Sequence, residues 1–104
     1  MDPQLVVASR TLEDRRVAGR SVHCAVRTLT DGGFVMEGQV LGGGEYEWAR
    51  RLDAGQTARL GALLGVAPAD LLDAVVTRFP DAASFEEHLR EHGLDGTFWS
   101  RRED

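Results

Sequence analysis

Strand-like alternation in the first half of the chain, helical spacing with capping signals in the second, and two glycine-rich turns between strands predict an α+β fold. The expected architecture is an antiparallel β-meander of about four strands followed by three helices packed on one face. A C-terminal aromatic segment should pair with the sheet or dock on it. At 104 residues the chain has the usual size of one domain and too little sequence for two separate cores. Residues 1-104 are therefore read as a single domain, with 1-4 and 101-104 as flexible ends.

Leu5 to Leu12 reads as the first strand, and the polar run Glu13 to Arg20, which contains Gly19, as a loop. From Val22 to Thr30 the alternation is clean. Val22, Cys24 and Val26 share one face, with His23 and Arg27 on the other. Asp31-Gly32-Gly33 supplies residues that tolerate positive φ and turns the chain into a third strand, Phe34 to Leu41. Phe34, Met36, Gly38 and Val40 point one way along it, Glu37 and Gln39 the other, as in a sheet solvated on one side. After Gly42-Gly43-Gly44, the segment Glu45 to Leu52 sets Glu45 and Glu47 against Tyr46 and Trp48, a fourth strand with an aromatic inner face.

Asp53 with Gln56 three residues on forms a capping box for a first helix, which Leu60, Leu63 and Leu64 carry to Gly65. Pro68 opens a second, whose stripe of Leu71, Leu72, Val75, Val76 and Phe79 ends at Pro80. Ser84 with Glu87 predicts the start of a third, with Phe85 and Leu89 stacked one turn apart, Gly93 as the stop and Leu94 closing a Schellman contact. The tail Thr97-Phe98-Trp99-Ser100 is too apolar for a frayed end.

Composition narrows the functional classes. The net charge of −5 opposes duplex binding, because non-specific affinity for nucleic acid comes mainly from cations that neutralise phosphates. All 12 basic residues are arginine, while Lys, Ile and Asn are absent. Such a bias fits a GC-rich genome and says little about function. Cys24 is the single cysteine, so no intrachain disulfide forms, as suits a reducing compartment. No apolar run nears the roughly 20 residues of a membrane helix, and Met1-Asp2-Pro3-Gln4 lacks the build of a signal peptide. A cytoplasmic location is expected, without membrane association.

Each motif that suggests chemistry lacks part of its context. His88-Leu89-Arg90-Glu91-His92 fits the H-x-x-E-H spacing of inverted zinc peptidases, with two histidines one helical turn apart. A catalytic zinc also needs a third protein ligand and an open position, and only 12 residues follow His92. His88 and His92 remain the weak metal candidates, and no metal or other cofactor is expected. His23 and Cys24 are neighbours on a strand and so point to opposite faces, which rules out a Cys-His nucleophilic pair. Glu45 and Glu47 stand about 7 Å apart on one strand face, but no partner group completes an acid/base pair. With Glu37 they are expected to make an acidic exposed sheet surface. The triple glycine precedes a strand rather than a helix and matches no phosphate-loop pattern. Trp48, Trp99, Tyr46 and Phe98 are read as core residues. If Trp99 is exposed beside Arg101 and Arg102 instead, it has the Trp-and-Arg character of an interface anchor.

Tyr46-Glu47-Trp48, the helical middle and Phe98-Trp99-Ser100 together resemble a loosely defined group of small uncharacterised actinobacterial proteins. The resemblance covers residues 22 to 100 and implies no activity.

These readings converge on a non-catalytic protein-interaction module: a small regulator, adaptor or immunity-like inhibitor with Glu37, Glu45, Glu47, Trp99 and Arg101 as partner-binding residues. The alternative is a small-molecule or metal binder, or a minor enzyme, using a pocket between sheet and helices with His23, His88 or His92. A homodimer is a further expectation, because the Leu5 strand or the tail leaves a pairing edge.

Overall fold

The computed structural model describes residues 5–103. Five antiparallel strands form one sheet in the order β1-β2-β3-β4-β5: β1 Val6–Val17, β2 Arg20–Leu29, β3 Phe34–Leu41, β4 Glu45–Leu52 and β5 Thr97–Glu103. Helices α1 (Ala54–Leu64), α2 (Leu71–Arg78) and α3 (Ala82–Glu91), with a 3-10 turn at Pro68–Asp70, lie between β4 and β5. The predicted α+β meander with three helices is the observed fold, and the aromatic tail is its fifth strand.

Register decides which side chains meet the helices. Cys24, Gly38, Trp48 and Ser100 stand in one cross-strand row and Val26, Met36, Arg50 and Phe98 in the next. Residues directly opposite share a face. Cys24, Val26, Phe34, Met36 and Leu52 from this face join Leu60, Leu71, Val75, Phe85, Leu89 and Leu94 in one hydrophobic core. Gly38 is needed under Trp48, since any Cβ there would collide with the indole.

The helix signals hold with two shifts, the first being that Pro68 opens the 3-10 turn while α2 itself starts at Leu71. Asp53 and Gln56 form the reciprocal capping box, and Gly65 ends α1 in the left-handed region. At α3, however, the N-cap is Asp81 rather than Ser84: its carboxylate accepts from the Ser84 amide at 2.8 Å, so Ser84 stands inside the first turn. That backbone hydrogen bond favours the ionised carboxylate and holds its pKa below the usual value. The Schellman closure forms as expected, with Leu94 N donating to Leu89 O and Gly93 N to Arg90 O.

Two polar segments expected to be irregular are strands. Glu13 to Val17 continues β1, and the chain reverses through Ala18 and Gly19, both at positive φ. The reason lies outside the local sequence: Glu13 is buried and accepts a hydrogen bond from the Ala82 amide at 3.0 Å, at the start of α3. Leu12 has no cross-strand partner among the described residues. It is the extra residue of a β-bulge between the Thr11–Ala25 and Glu13–Cys24 pairs, and it enters the core. Likewise Arg101 to Glu103, expected to be loose, pair with Glu47, Tyr46 and Glu45 as part of β5. The expectations for residues 1–4 and for Asp104 fall outside the described residues.

Candidate functional site

The helices cover one face of the sheet and leave the other open. Alternation sends His23, Ala25 and Arg27 of β2, Glu37 and Gln39 of β3, Glu45, Glu47 and Ala49 of β4, and Trp99 and Arg101 of β5 to that open face. A shallow depression of about 410 Å³ lies on it, bordered by His23, Arg27, Glu37, Glu47 and Trp99, with Ala25 and Ala49 contributing small side chains. Trp99 stands directly opposite Ala49 across the β4–β5 pair and is 52% exposed. The alanine leaves one side of the indole without a bulky neighbour.

Four of the five expected partner-binding residues therefore gather in one place. Glu37, Glu47 and Trp99 border the depression, and Arg101 reaches Glu47 at 3.7 Å. Glu45 stands apart at the end of β4, opposite Glu103, a like-charge pair that Arg101 partly offsets from 3.5 Å. The face is not uniformly acidic. Arg27 pairs with Glu37 at 3.0 Å, and Asp14 lies 4.0 Å from His23. Arginines and carboxylates interleave across this face, and at its end Glu45 and Glu103 share a shallow depression with Arg20 and Arg102.

The aromatic residues divide by face, which corrects their common assignment to the core. Trp48 is partly buried against the core and stacks on Phe98 with ring centroids 6.3 Å apart. Phe98 itself is 49% exposed. The Arg50 guanidinium lies 4.9 Å from its centroid while forking onto Glu86 at 2.9 and 3.0 Å. Arg102 turns away from Trp99, to the helix side, and sits 5.4 Å from the centre of the Tyr46 ring.

Nucleophilic chemistry finds no support at the thiol. Cys24 is buried, and burial with the nearby Glu13 charge pushes its pKa up to about 12, so it stays protonated near neutral pH. His23 is on the opposite face of the sheet, as its position next to Cys24 requires. His88 and His92 do meet, with ring centroids 4.5 Å apart, but His88 also packs on Phe79 at 5.0 Å. Its Nε2 is buried with no hydrogen-bond partner among the described residues. Burial and the His92 charge both hold the His88 pKa below its usual value. No group of three metal-ligating side chains occurs among the described residues.

Sequence reasoning did not locate the pocket between sheet and helices. A groove of about 630 Å³ runs between the start of β1 and helices α1 and α2, lined by Ala58, Gly61, Ala62, Val66 and Leu72, with Arg10 and Asp73 bridging its rim at 2.9 Å. Small residues along one side of α1 keep it open. The alanines and Gly61 in that helix are the only local signal for it. None of His23, His88 and His92 lines it. No helix among the described residues is by itself long and apolar enough to cross a membrane. Comparison of the chain with protein-family models, curated proteins and solved structures gives no match.

Proposed function

We propose that this chain is a non-catalytic protein-interaction module of the cytoplasm, a regulator, adaptor or immunity-like inhibitor, which docks a basic partner surface on its open sheet face. The observation that carries the reading is Trp99, a half-exposed indole on a face the helices leave uncovered, at the border of a depression. An indole loses water over a large area at little cost in side-chain entropy, which makes tryptophan a frequent centre of binding energy. Glu47 and the Glu45–Glu103 pair supply negative charge on the same face, in a chain of net charge −5. A basic partner relieves that repulsion and is steered toward it at low salt.

The test compares capture of a partner by the wild-type chain and by Trp99→Ala. Truncation of the anchor should weaken binding about thirtyfold, near 2 kcal/mol, and added salt should weaken it further. A partner held equally by both proteins at every salt concentration overturns the reading.

The groove between sheet and helices favours a second reading, a binder of small apolar molecules. Its volume of about 630 Å³ lies within the usual range for ligand sites, and an anionic end group would compete with Asp73 for Arg10 at the rim. Thermal-shift screening with apolar carboxylic acids tests it, with Ala58→Trp as the filled-groove control. Shifts that persist in Ala58→Trp, or no shift at all, remove it.

A further inference from the structure

The two edges of the sheet differ in a way that points to a second copy of this chain. β1 carries two breaks in register and is tied to the helix layer through Glu13 and through Arg10 to Asp73. β5 has none of these protections. It pairs with β4 in unbroken register from Thr97 to Glu103, every residue in it is exposed, and it contains no proline. Its outer side presents backbone N–H and C=O groups without strand partners among the described residues, a template for another strand.

We propose that two copies of this protein pair β5 with β5, antiparallel, about a two-fold axis through Ser100, joining their sheets edge to edge. The side chains select this register. In a symmetric antiparallel pair the axis must pass through a residue if every side chain is to keep its face. An axis through Arg101 sets Arg101 against itself. An axis through Trp99 leaves Arg102 and Glu103 outside the paired strand. Through Ser100 the whole of β5 is used: Trp99 meets Arg101 of the second copy on the open face, and Phe98 meets Arg102 of the second copy on the helix side.

On the helix side the contact extends a row already present within the chain. Arg102 lies over Tyr46 and Phe98 lies under Arg50, so pairing continues arginine–aromatic stacking across the seam. Arginines on an edge strand normally discourage indiscriminate pairing. Here, in one symmetric register, every arginine of the strand faces a ring, and the same charges penalise the shifted alternative. Because the axis stands perpendicular to the sheet, the two open faces lie on the same side. The proposal does not depend on the partner-binding reading: the seam engages Trp99 but leaves His23, Ala25 and Glu37 uncovered, and crosslinking at Ser100 reads strand pairing without any other partner.

Ser100→Cys tests the seam in the full chain. Opposed residues in an antiparallel pair have Cα atoms roughly 4.5–5.5 Å apart, within disulfide reach. The native thiol, Cys24, is buried and does not interfere. Mild oxidation should convert Ser100→Cys to a covalent dimer. Thr97→Cys should give no covalent dimer, because the two Thr97 positions lie roughly 20 Å apart along the strands in this register. Sedimentation of the wild type should approach twice the 11.4 kDa chain mass as concentration rises. Phe98→Arg should lose the dimer by opposing Arg102, and Phe98→Glu should keep it. Equal crosslinking of the two cysteine variants, or a wild type that remains at 11.4 kDa at all concentrations, overturns the proposal. If Phe98→Arg does not fold, the cysteine pair still decides.

Discussion

The β1 and β5 strands border the same sheet but end it by different means. β1 is long, bulged twice and bonded into the helix layer, where buried Glu13 receives the amide that opens α3. β5 is short and regular, and its described ties run to β4: Arg101 to Glu47, and Phe98 against Trp48 and Arg50. Bulges and tertiary hydrogen bonds close the first edge to further pairing, while the second is ordered yet open. Order alone does not protect an edge. Protection comes from irregularity and cover.

The contrast can be broken from either side. Gly96 lets the chain turn into β5: it sits at φ 61°, and a Cβ there would collide with the Arg51 carbonyl. Gly96→Ala should cost about 3 kcal/mol and release β5 first. Amide exchange should show lost protection in Thr97–Glu103 with β1–β2 retained. Glu13→Ala should cost about 2 kcal/mol in urea unfolding, because it leaves the Ala82 amide buried without its acceptor. Glu13→Gln, which keeps an acceptor, should cost less.

A smaller effect follows from His88. Its pKa is lowered in the fold, so the native state resists a proton that the unfolded chain takes up near the ordinary imidazole value of 6.5. The contribution is complete above that pH and is lost as pH falls from there through the folded value. His88→Phe should flatten that slope, as measured by urea midpoints across the window. Smallest is Arg101→Ala: the Arg101–Glu47 ion pair is solvent-exposed on the arginine side, and its loss should change monomer stability by under about 1 kcal/mol. The same variant should still weaken the β5 seam, separating edge function from edge order.

How much of this was legible depended on whether the signal was local. The β2–β4 faces follow from alternation, and Asp53, Gln56 and Gly65 delimit α1 by rules that act within a turn. The second half of β1 was hidden because an edge strand tolerates polar side chains on both faces, and Ala18-Gly19 lacks the Asn or Asp that marks a tight hairpin. What makes Glu13 structural is an amide 69 residues away in sequence. Alternation also placed Glu37, Glu45 and Glu47 on one face. The arginines that balance them, Arg27 and Arg101, needed the register between strands, and the exposure of Trp99 needed Ala49 opposite it. The His88–His92 pair was visible as spacing. Its orphaned Nε2 and its packing on Phe79 were not.

Amide hydrogen exchange on the wild-type chain at low and high protein concentration tests the difference between the edges most directly. Along β5, alternate amides point toward β4 and the others outward. The outward set should gain protection as concentration rises, while the free amides along the outer side of β1 should exchange at the same rate throughout. Outward β5 amides that exchange at one rate at every concentration would contradict the account.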